Sequence, residues 1–76
     1  MTKQEFYTEL EIMLELPGGT VIGTEALEEL PGWDSMAMLS FIVLADSKLG
    51  VIVTASTLSA AKTVPDLIAM FPDKIV

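Results

Sequence analysis

The sequence predicts an all-α fold: a small four-helix bundle of three main helices and one short helix, with a long first loop. Three observations carry this expectation. Apolar residues recur at three- and four-residue spacing in the segment that opens the chain, in the one after residue 34 and in the one after residue 63. Each of these segments begins with a side chain suited to helix capping and ends at Gly or Pro. The one β-branched run, Val51-Ile52-Val53, is short and has no second strand to pair with, so it reads as an extended loop.

The first helix is expected from about Thr2 to Leu16. Thr2 caps it, and Glu5 three residues later completes a capping box. Phe6, Leu10, Met13 and Leu14 form its apolar side, with Glu5, Glu9 and Glu11 largely on the other. Pro17-Gly18-Gly19 stops it. Residues 17–33 follow as a loop with turn signals at Pro17-Gly18-Gly19, Gly23 and Pro31-Gly32. A loop that long must be pinned, and Val21, Ile22, Leu27 and Leu30 are the candidate pins. One helical turn between Thr24 and Glu29 is expected within it.

The second helix starts at Asp34 or Ser35 and ends near Leu49, with Gly50 as its stop. The Asp34 carboxylate suits the N-cap, where it accepts backbone N–H groups and faces the positive helix end. Trp33 and Met38 then occupy the hydrophobic-staple positions. Leu39, Ile42, Ala45 and Leu49, widened by Phe41, form the expected inward stripe. A short helical turn at about Ala55–Ala61 points Leu58 inward. The last helix runs from Val64 to about Phe71, with Thr63 as cap, Pro65 in the first turn, Asp66 at the box position and Pro72 as the stop.

Composition narrows the function. The 76 residues are 51% apolar and carry 4 bases against 11 acids, a net charge of −7, with no His and no Cys. One domain, residues 1–76, fits this length. Disulfides, Cys-based metal sites, thiol nucleophiles and a His general base are excluded. Nucleic-acid binding is disfavoured, because it needs Lys and Arg on phosphates. All the net charge lies in residues 1–38, which hold Lys3 and eight acids; residues 39–76 hold three of each sign. The longest near-apolar stretch, Met36–Ala45, falls far short of the roughly 20 residues that span a bilayer. No targeting segment is evident, so a cytoplasmic, monomeric protein is expected.

The chemistry-bearing segment is Gly32-Trp33-Asp34-Ser35-Met36. An isolated Asp-Ser pair at a helix start is ordinarily just a cap. Here it follows a long loop ending Leu30-Pro31-Gly32-Trp33. After it come a second helix, Leu49-Gly50-Val51, and a last helix that opens Thr63-Val64 and continues through Asp66-Leu67.

Over essentially the whole chain, this arrangement resembles an acyl carrier protein. The resemblance implies that a phosphopantetheinyl transferase attaches the phosphopantetheine arm of coenzyme A to Ser35. The arm's thiol then carries acyl groups as thioesters between acyl-loading and acyl-processing enzymes of fatty-acid, polyketide or related pathways. It also implies that Asp34 serves as a metal-ion ligand during transfer, with no resident metal. With no His to activate it, Ser35 reads as the substrate of another enzyme, and the chain as a non-catalytic subunit.

One departure from the family matters. Its second helix usually bears acids that meet basic patches on partners, whereas Met36–Ala45 has no charge; Ala37 and Ser40 stand where acids are common. A partner contact through Met36, Met38, Val43 and Leu44 is expected instead. Trp33 reads first as a loop anchor and second as a partner contact. Met36 and Met38 suit the core and an adaptable apolar surface equally. Two alternatives stay open: an unmodified helical interaction module, and an aminoacyl or peptidyl carrier. Peptidyl carriers usually show Gly-Gly-x-Ser at the site, unlike Gly32-Trp33-Asp34-Ser35 here.

Overall fold

The computed structural model describes residues 1–76. The fold is all-α. Its helices are α1 (Lys3–Leu14), α2 (Ser35–Leu44), α3 (Ala55–Ser59) and α4 (Val64–Ala69). A 3₁₀ turn at Leu27–Glu29 interrupts the first loop, and Ala45–Leu49 continue α2 as a wider π-helical turn. There is no strand, and Val51-Ile52-Val53 lies in irregular backbone with no strand partner.

The caps follow from local chemistry. Thr2 accepts the Glu5 N–H at 3.1 Å, and the Glu5 carboxylate accepts the Thr2 N–H at 2.8 Å. Thr63 and Asp66 repeat this reciprocal pair at α4, with Pro65 in the first turn. Thr54 caps α3 by accepting the Thr57 N–H. Gly50 ends the π-helical turn in the left-handed region at φ 67°.

Several boundaries differ from expectation. Thr2 lies outside α1 as its cap, and Glu15 ends it in the left-handed region at φ 58°, before Pro17 acts. Regular α-helix in the second element stops at Leu44; the widened turn carries the chain to Leu49. Both α3 and α4 end two residues early, at Ser59 and Ala69, as their last carbonyls turn to the tighter bonds of Ala61 N–H to Leu58 and Phe71 N–H to Ile68.

The core is built around Phe6 of α1, Phe41 of α2 and Phe71 after α4. Their ring centroids lie 6.1–6.5 Å apart, and Phe6 meets Phe41 edge-on at 89°. Leu10, Leu58, Val64 and Leu67 are also fully buried around them. Leu39 does not join this core: it is 62% exposed, and Ala37, Phe41 and Ala45 form the inward line of α2 instead. Every position from Met36 to Ala45 except Ser40 is apolar, so the pattern does not select an inward side.

Glu11 is the second correction. It is buried, 4% exposed, and accepts the Val21 N–H at 2.9 Å. It lies one turn after Tyr7 on α1, and this flank receives the first loop. Gly23, at φ 105°, packs so close to Tyr7 that an added Cβ would collide with the ring and its hydroxyl. Val21, Leu27 and Leu30 pin the loop from below, while Ile22 is 70% exposed and pins nothing. Two backbone bonds of 2.9 Å, Leu27 N–H to Lys62 O and Val64 N–H to Glu25 O, seam the loop to the chain entering α4.

Candidate functional site

The first loop delivers the site through a tight turn. Pro31 and Gly32 occupy its centre, Gly32 has φ 84°, and the Trp33 N–H donates to the Leu30 carbonyl at 3.2 Å. Pro followed by a positive-φ Gly is the chemistry of a type II turn. Asp34 emerges extended, at φ −136° and ψ −170°, and its Oδ1 accepts the Ala37 N–H at 2.9 Å. The expected cap is therefore in place.

Ser35 is the first residue of α2 and is exposed. Its hydroxyl forms no hydrogen bond within the chain. The backbone N–H groups of Ser35 and Met36 are likewise free of intrachain acceptors, as expected in the first helical turn. An anion joined to the Ser35 oxygen would lie beside these donors at the positive end of a ten-residue helix. A phosphodiester fits this corner. No group of three or more carboxylates gathers anywhere in the chain to hold a metal ion by itself. Asp34 directly precedes Ser35, and its Oδ1 is engaged by the cap.

The proposed contact residues separate into two groups. Met36 and Val43 are 74% and 66% exposed, and Leu39 joins them on the outside. These three positions, three and four residues apart, form an uncharged stripe along α2. Met38, Leu44 and Trp33 are half-buried and pack against the core. Trp33 meets Phe41 edge-on, with centroids 6.1 Å apart and planes at 69°.

Trp33 and Met38 also line an open groove of about 530 Å³. Ala26, Leu27 and Glu28 of the first loop, Ser59 at the end of α3, and Ala61, Lys62 and Thr63 before α4 complete its walls. Sequence reasoning missed this groove. The only local hint was the pairing of Trp33 with Met38 across the cap.

No protein family, curated protein or solved structure matches the chain.

Proposed function

We propose that this chain is an acyl carrier protein: a four-helix-bundle carrier domain whose Ser35 takes a phosphopantetheine arm and holds acyl intermediates as thioesters. The observation that carries the reading is the exposed, unengaged hydroxyl of Ser35 in the first turn of α2, directly after a cap made by Asp34. Free backbone donors at that turn would stabilise the phosphodiester once formed.

In the transfer, Ser35 Oγ attacks the phosphorus of coenzyme A that bears the pantetheine. A new oxygen–phosphorus bond forms, and the pyrophosphate link to the adenosine bisphosphate half breaks. The serine proton leaves to a base of the transferase or to solvent, because this chain has no His to take it. The role of this chain's residues is to present: the Pro31-Gly32 turn and the Asp34 cap hold Ser35 outward on a fixed helix end. Phosphopantetheine, when bound, supplies the thiol that forms the thioester; the chain has no thiol of its own.

Partner enzymes, in this reading, meet α2 through apolar contact, with Met36, Leu39 and Val43 as the accessible positions. Acyl transfer to a partner is then expected to depend only shallowly on ionic strength, since no charge lies between Asp34 and Asp46. A steep loss of rate with added salt contradicts apolar docking.

The same uncharged stripe favours a second reading, an unmodified module that holds one fixed partner. Incubation with coenzyme A and a broad-specificity phosphopantetheinyl transferase separates the two. The carrier reading expects the intact protein to gain one phosphopantetheinyl group and the Ser35→Ala protein to gain none. An unchanged wild-type mass, or a gain that survives Ser35→Ala, overturns it.

A further inference from the structure

Asp34 and Ser35 act on the same end of α2. Asp34 holds the Ala37 N–H through Oδ1 at 2.9 Å, and that contact is partly buried. Ser35, the next residue, opens the helix with an exposed hydroxyl. The Ser35 and Met36 N–H groups have no intrachain acceptor, whereas the Ala37 N–H depends on the Asp34 carboxylate and the Met38 N–H on the Asp34 carbonyl. Adjacent Cα atoms are about 3.8 Å apart, so a phosphodiester on Ser35 and the Asp34 carboxylate approach to roughly 6 Å. That is inside the screening length of physiological salt, about 8 Å. No Lys or Arg stands between Lys3 and Lys48 to offset the pair, and Lys62 is the one cation on the walls of the groove beside Trp33.

We propose that Asp34 makes the start of α2 a sensor of the arm: in the unmodified chain its carboxylate caps the helix, and once Ser35 carries a phosphodiester the same carboxylate is repelled and its hold on Ala37 weakens. The proposal rests on the carrier reading. Its direction follows from charge. A single carboxylate at this end is favoured by the helix dipole. A second anion finds the Ser35 and Met36 N–H groups open to it, while Asp34 already occupies Ala37. The phosphodiester is tied covalently to Ser35. The Asp34 carboxylate is held by one hydrogen bond and can turn into solvent, so the cap is what yields. Bare and armed chains then present different helix starts to an enzyme that meets this end. Asn at position 34 keeps an acceptor without the charge, so an Asp34→Asn chain should keep its cap in both forms.

The test compares hydrogen exchange at the Ala37 amide in bare and armed forms of the wild type and of Asp34→Asn. Arms are loaded from coenzyme A by a broad-specificity phosphopantetheinyl transferase, and intact mass confirms each product. In the wild type at low salt, the arm is expected to speed Ala37 exchange about fivefold, since unit charges roughly 6 Å apart at a wet surface shift such an opening several-fold. In Asp34→Asn the change is expected to stay below about twofold. Raising salt to about 0.5 M is expected to cut the wild-type armed-to-bare ratio to about two. Unchanged exchange at Ala37 in the armed wild type overturns the sensor. So does an equal acceleration in Asp34→Asn, which would trace to the bulk of the arm, and so does an acceleration that salt leaves untouched.

The salt series needs only the wild type, so it decides the question even where Asp34→Asn resists loading. If the wild type accepts no arm at all, the carrier reading itself is overturned and the sensor falls with it. An armed wild type whose Ala37 exchange stays at the bare value overturns the sensor alone.

Discussion

Replacing Glu11 by Ala should release the first loop from α1 and destabilise the protein by about 2 kcal/mol. The Glu11 carboxylate is buried and accepts the Val21 N–H at 2.9 Å. A hydrogen bond to a charged group contributes about 1.5–3 kcal/mol, and a buried N–H left without an acceptor costs a similar amount. A domain of 76 residues has only about 4–11 kcal/mol in total, so this one contact is a large share. With a urea slope of about 1 kcal/mol per molar for a chain this small, the midpoint should fall by about 2 M. Glu11→Gln keeps an amide oxygen as acceptor and should lose about half as much. Hydrogen exchange adds a local readout: the Val21 amide should be protected in the wild type and unprotected in Glu11→Ala. An unchanged midpoint in Glu11→Ala, or an unprotected Val21 amide in the wild type, would refute the hold of Glu11 on the first loop.

Asp34→Ala removes the cap of α2 and should cost about 1 kcal/mol, a fall of about 4–8 °C in Tm for a domain this size; Asp34→Asn, which keeps an acceptor, should cost much less. Gly23→Ala should destabilise by about 1–3 kcal/mol, because φ is 105° and the added Cβ meets Tyr7; if Tyr7→Ala restores none of the loss in thermal unfolding, the steric explanation fails. Acid should weaken the fold. Glu5 is held below the usual carboxylate range by the Thr2 backbone N–H and then its hydroxyl, and Asp66 by the backbone of Lys62 and then Thr63. Burial pushes Glu25 upward, but N–H donors including those of Ile22 and Gly23 outweigh it and leave it lowered. These folded values lie below the unfolded ones, so the stabilisation is complete above the ordinary carboxylate range. It fades as pH falls below about 4 and through the lowered values. Urea midpoints should drop across that window, and Glu25→Gln should flatten the drop; a midpoint that rises on acidification contradicts the assignment.

What was legible in the sequence was what local chemistry decides. The reciprocal caps at Thr2–Glu5 and Thr63–Asp66, the Asp34 cap and the Gly50 stop each involve residues close in sequence. So does the exposure of Ser35, which follows from its place in the first turn. Long-range returns of the chain were not legible. Glu11 looked solvated because carboxylates usually are; its burial depends on a loop folding back ten residues later. Leu39 looked buried because α2 offers almost no polar face to contradict it. The packing of α2 against α1 and α3, with Phe71 after α4, turns Phe41 inward and leaves Leu39 outward. The groove escaped for the same reason, since its walls come from the first loop, the start of α2 and the segment before α4.

The most direct test of the central claim is site-resolved mass spectrometry after incubation with coenzyme A and a phosphopantetheinyl transferase. A carrier built in this way should show the phosphopantetheinyl group on the peptide that contains Ser35, on Ser35 itself and on no other residue. An unmodified protein, or a group found on Ser40 or Ser47 instead, would contradict it.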